Sequence, residues 1–98
     1  MNAIVIDHAA QAAFRSRYQD RPWVTWESQA NAVQIRWTVV AARVLNGDIT
    51  AAEELRDAYI YGMVAKSWSE IGVSQRHLWT RALDAMKRAA ESAERTAA

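Results

Sequence analysis

The chain has 98 residues, with twelve Lys and Arg against eleven Asp and Glu, 51% hydrophobic and 23% charged residues, and no cysteine. That length suits one hydrophobic core, so a single helical domain over residues 1–98 is expected, with 1–6 and 93–98 loosely ordered. The composition excludes a disordered chain, the lack of cysteine excludes disulfides and thiolate sites, and a formal charge of +1 gives no overall drive toward nucleic acid or anionic membrane.

The opening Met1–Asp7 carries a short apolar run and no basic leader, so a cleaved secretion signal is not expected. The longest apolar stretch, Thr38–Leu45, is broken by Arg43 and falls far short of the roughly 20 residues that span a bilayer. A cytoplasmic chain without membrane contact is therefore expected. Ten arginines against two lysines, with twenty alanines, fit a phage or bacterial origin.

Asp7 is the expected N-cap of a first helix running to about Gln19, since its carboxylate can accept the free backbone donors of a first turn. Pro22 ends that segment. Thr25 is the expected cap of a second helix in which Trp26, Ala30, Val33, Trp37, Val40 and Val44 recur at intervals of four and three, the period of one helix face. Asn46-Gly47 closes it with residues that tolerate the left-handed conformation of a helix C-terminus.

Thr50-Ala51-Ala52-Glu53 reads as a capping box opening a third helix over about 51–71. Gly62 inside it implies close approach of a neighbouring helix. Gly72 ends that helix, Ser74 caps a fourth, and Leu78, Ala82, Ala85, Met86 and Ala89 mark the fourth helix's buried face. The expected fold class is therefore all-α, a compact bundle of about four helices with short connections, the second and third roughly antiparallel.

Five tryptophans are several times average usage for 98 residues, and a large indole can compensate for a small core. Trp37 and Trp68 lie on apolar stripes and are expected in the core. Trp23 and Trp26 flank a proline-broken loop beside Tyr18 and Arg21, and Trp, Tyr and Arg are the side chains most enriched at interface hot spots. Tyr18, Arg21, Trp23 and Trp26 therefore form a candidate protein-binding site, with a local hydrophobic staple as the alternative.

The run from Ile71 to Leu78 resembles the turn of a DNA-binding helix-turn-helix, in which a glycine follows an apolar residue and a recognition helix starts just after. It departs from that pattern at Trp68, where a small residue is wanted, and at Arg81, where an apolar one is wanted. Gln75, Arg76, Thr80 and Arg81 would be the anion- or nucleic-acid-binding residues of such a helix. A solvated basic face and an acidic protein partner are the other readings of the same residues.

The acidic side chains Asp48, Glu53, Glu54 and Asp57 gather at a helix start, where the macrodipole favours them. They lack the spacing and glycine of a calcium loop, so no metal is expected. His77, Arg81 and Asp84 share a helix face with Ser74 near and can be drawn as a hydrolytic constellation, but no nucleophile elbow or glycine-rich phosphate loop accompanies them. The expected function is a non-enzymatic, cofactor-free protein-protein interaction module, an adaptor or inhibitor occupying a protein partner's surface. The alternative is a DNA-binding regulator using the helix after Gly72, and a homo-oligomer is left open for either.

Overall fold

The first helix starts at Asn2, not at Asp7. The computed structural model describes residues 2–97, and in it α1 spans Ala3–Arg17, with the Asn2 side chain accepting from the Ile4 N–H at 2.7 Å. Asp7 instead faces solvent and accepts from Gln11 Nε2 at 2.7 Å. Starting five residues earlier lets Val5, Ala9 and Ala13, with Ala10 and Phe14, form one continuous buried stripe. Residues 3–6 thus belong to the helix; Met1 and Ala98 lie outside the described residues.

After α1 the chain makes successive turns through Pro22, closed by Arg21 N–H to Tyr18 O and Val24 N–H to Arg21 O, both at 2.9 Å. Thr25 caps only a single turn: its hydroxyl accepts from Ser28 N–H at 3.3 Å and its carbonyl from Ser28 Oγ at 2.9 Å. The second helix, α2, begins six residues later and spans Asn31–Leu45. Trp26 is buried although the segment is not helical: its indole packs edge-on against Phe14 at 5.5 Å.

The end of α2 is as expected. Gly47 takes φ +85°, Gly47 N–H bonds Val44 O at 3.1 Å and Asp48 N–H bonds Arg43 O at 2.9 Å, the paired bonds of a Schellman motif. The third helix, α3, spans Ala52–Tyr59. Its capping acid is Glu54 in place of Glu53: Glu54 Oε1 accepts from Thr50 Oγ1 at 2.9 Å, Ala51 N–H at 3.1 Å and Thr50 N–H at 3.2 Å. Those bonds hold the Glu54 carboxyl below the usual range, the Thr50 hydroxyl contributing most.

α3 has 8 residues where a helix of about twenty was expected, and long-range contacts explain the difference. Arg36, in the second turn of α2, donates through Nη1 to Tyr59 O at 2.7 Å and to Tyr61 O at 2.9 Å. A continuing helix would have needed those carbonyls. Gly62 then turns the chain with φ +82°, with Met63 N–H bonding Ile60 O at 2.8 Å. No atom lies within 4 Å of where a Cβ on Gly62 would sit, so this glycine supplies a left-handed backbone and not a close helix crossing.

A short 3-10 turn, Trp68–Glu70, precedes α4, which spans Val73–Ala97. α1 and α4 run antiparallel along the bundle: Arg17 meets Gln75 at one end, and Ile4 and His8 lie beside Ala93 and Thr96 at the other. The buried face of α4 is Leu78, Trp79, Ala82, Leu83, Met86 and Ala90. Ala85 and Ala89, expected there, are only half-buried. The structure is all-helical, and its 13.0 Å radius of gyration matches the ~13 Å of a compact chain of this length.

The core closes around one aromatic cluster to which each helix contributes a ring. Trp37 of α2 has Phe14 of α1 edge-on at 6.1 Å, Tyr59 of α3 at 4.4 Å and Trp79 of α4 stacked at 5.8 Å. Trp37 is fully buried as expected, whereas Trp68 is half-buried at the margin. Burial, followed by the neighbouring Tyr18, pushes the Tyr59 hydroxyl up to about 12. A raised folded-state value favours the protonated phenol in the native protein, so its contribution to stability is complete below pH ~10 and is lost as pH rises toward ~12. Across that window the loss should total about 2–3 kcal/mol. Denaturant midpoints of wild type and Tyr59→Phe measured over the alkaline range check this, and an equally steep decline in the variant would contradict it.

Candidate functional site

The aromatic loop expected to bind a partner divides into a buried half and an exposed half. Trp26 is 8% exposed against Phe14, and Tyr18 is half-buried with its ring 4.8 Å from the same phenyl. These two act as the staple joining the loop to α1. Arg21 and Trp23 face solvent, and Trp23 is 75% exposed. Tyr18 and Trp26 line a groove of about 280 Å³ together with Arg15, Pro22 and Glu27, but Trp23 is not among its walls.

The polar start of α4 also divides. Gln75 Oε1 accepts from Arg17 Nη2 at 2.8 Å, tying the end of α1 to the start of α4. The Arg17 guanidinium lies 5.2 Å from the Tyr18 ring centroid and 5.1 Å from that of Trp79, and burial lowers its pKa. Thr80 Oγ1 donates to Arg76 O at 3.0 Å within its own helix. Gln75 and Arg76 are half-buried, and Thr80 and Arg81 are exposed. Ahead of Gly72 stand a 3-10 turn and an extended Ile71 instead of a helix, so the tight helix pair of a helix-turn-helix is not formed there.

Sequence reasoning passed over a third surface. Ile35 and Val39, one turn apart on the outer side of α2, are 61% and 53% exposed, and Tyr61, just beyond α3, is 83% exposed. With Ala32 and Ala58 they wall an apolar groove of about 340 Å³. Met63 and Val64 continue the exposed apolar run past Tyr61. The signal was present in the sequence: Ile35 and Val39 lie off the Trp37–Val40–Val44 stripe, so α2 is apolar on two sides, while a helix at the margin of a small bundle buries only one.

Two arginines fix the loop that forms the groove's second wall. Arg36 holds the Tyr59 and Tyr61 carbonyls where the loop leaves α3. Arg56, buried in α3, donates through Nη2 to Lys66 O at 2.6 Å where the loop returns. Tyr61, Met63 and Val64 are therefore displayed on a segment pinned at both ends.

Chemistry elsewhere is sparse. Ser74, His77 and Asp84 are all exposed, and no hydrogen bond joins them. Among the described residues no group of three or more His, Asp or Glu side chains could hold a metal ion. No helix among the described residues is long and apolar enough to cross a membrane. A groove of about 390 Å³ between the ends of α1 and α4 is walled by Ile4, His8, Ala89, Ser92, Ala93 and Thr96, with the Thr96 hydroxyl donating to Ser92 O at 3.0 Å. Compared with protein-family models, curated proteins and solved structures, the chain matches none.

Proposed function

We propose that the chain is a protein-binding module without catalysis, an adaptor or inhibitor that acts by occupying a partner's surface. The observation carrying this reading is the contiguous apolar groove between Ile35 and Val39 of α2 and Tyr61 of the loop that Arg36 and Arg56 hold in place. Exposed apolar surface is disfavoured unless something covers it, and a preordered apolar patch is the usual form of an interaction site. Trp23, presented from the α1–α2 loop, is the second exposed aromatic anchor.

The test titrates a protein captured by the immobilised chain from its source cells against wild type, Val39→Asp, Trp23→Ala and an Arg76→Ala/Arg81→Ala double variant. Val39→Asp should lose at least tenfold in affinity, about 1.4 kcal/mol. Trp23→Ala should likewise weaken binding while shifting stability by less than about 0.5 kcal/mol, the usual effect of a surface substitution. The double arginine variant should bind as wild type does. Unchanged affinity in both Val39→Asp and Trp23→Ala would contradict the reading. Salt-sensitive binding of duplex DNA that falls in the double variant would favour the regulator instead.

A further inference from the structure

We infer that the groove between α2 and the end of α3 receives an amphipathic α-helix of a partner protein, bearing acidic side chains seven residues apart beside its apolar face. The inference rests on reading the chain as a protein-binding module and specifies the chemistry of the partner segment.

The walls offer nothing to a peptide that binds by strand addition, because the described residues contain no strand edge. The backbone of α2 is paired within its own helix, and the Tyr59 and Tyr61 carbonyls on the other wall are taken by Arg36. A helix brings its own backbone pairing and asks none of these walls, so it is the segment that fits them best. Ile35 and Val39 stand one helical turn apart, the spacing at which a second helix can interleave apolar side chains.

The charges select which helix. Arg36 and Arg43 line the groove, and α2 contains no acidic residue. Seven residues separate them, about 10 Å along the axis, with a rotation of only about 20° between them, so both border the same side of the apolar strip. Neither forms an ion pair among the described residues. Glu54 is the acid that senses Arg43, and its carboxylate is committed to Thr50 and Ala51. Two cations without ionic partners thus flank an apolar floor. A second copy docking α2 against α2 would bring four arginines together with no acid on either helix, so like-charge repulsion disfavours that occupant.

The test uses two synthetic helical peptides with the same leucine face, one with glutamates seven residues apart along its edge and the other with lysines there. Each is titrated by fluorescence anisotropy into wild type, Arg43→Glu and Val39→Asp, with circular dichroism to confirm that each variant is folded. Arg43 is chosen because Arg36 also holds the loop. The acidic peptide should bind wild type at least about fivefold tighter than the basic one, with the preference shrinking as salt is added. Arg43→Glu should abolish or invert that preference, and Val39→Asp should remove binding of both peptides. Equal binding of the two peptides, unaltered by Arg43→Glu, would overturn the acidic partner, while loss through Val39→Asp would leave the protein-binding reading standing. Binding of neither peptide would overturn the helical occupant. Concentration-dependent dimerisation abolished by Val39→Asp would assign the groove to a second copy.

Discussion

Replacing Trp37 with alanine is expected to destabilise the protein by about 3–5 kcal/mol, the range for deleting a large buried aromatic. That is a large share of the ~5–15 kcal/mol that holds a typical domain together. Trp37 has no accessible surface, and its indole is where rings from all the helices meet: Phe14, Tyr59 and Trp79 each lie within 6.1 Å. No smaller side chain could reach all three. Packing and the cavity left behind dominate that loss. Chemical denaturation of wild type and Trp37→Ala measures it; a loss below about 1 kcal/mol would contradict the central position of this residue.

Leu55→Ala is expected to cost about 2–5 kcal/mol, and its effect should be uneven across the chain. α3 has only 8 residues, too few to be helical alone in water, so its tertiary contacts hold it. Leu55 is fully buried, with Tyr59 one turn beyond it. Removing the isobutyl group should therefore release α3 and the Tyr61–Ser67 loop by local opening well before α1 and α4 separate. Amide exchange followed residue by residue should show protection in 52–59 falling far more than in 9–14 and 82–90. A uniform loss would mean that α3 is bound into the bundle as firmly as the long helices. Because Ala58 and Tyr61 form one wall of the apolar groove, the same substitution should also weaken partner binding without touching the groove itself.

The elements legible in the sequence were those decided by neighbours in the chain. Asn46-Gly47 ends α2 through bonds reaching no further than six residues. The Trp37–Val40–Val44 stripe obeys the helical period and is buried as that period requires. What the sequence obscured was decided by contacts between distant residues. The 51–71 stretch reads as one helix because nothing within it announces that Arg36, more than twenty residues upstream of Tyr59 and Tyr61, captures their carbonyls. In α4 the alanines left the phase ambiguous. Ala82, Ala85 and Ala89 fit one stripe as readily as Ala82 and Ala90 fit another, and the packing of Trp79 against Trp37 decides between them.

The candidate sites follow the same division. Trp, Tyr and Arg side by side marked the loop around Pro22, but composition could not tell which side of it Phe14 would cover, and Phe14 took Trp26. Gln75 looked like a ligand-binding side chain, and α1 delivers Arg17 to its Oε1. The Ile35 and Val39 pair was visible as a second apolar side of one helix, and it gains meaning only when Tyr61 is set opposite it by the pinned loop.

Hydrogen-deuterium exchange of the chain alone and saturated with its captured partner most directly tests whether that groove is the binding surface. Amide protection on binding should concentrate in the Tyr61–Ser67 loop, where backbone groups are exposed, and spread to the outer turns of α2 around Ile35 and Val39, with the 73–81 segment unchanged. Protection confined to 73–81, with the Tyr61–Ser67 loop exchanging as freely as before, would place the partner on the Arg76 and Arg81 face and contradict the assignment.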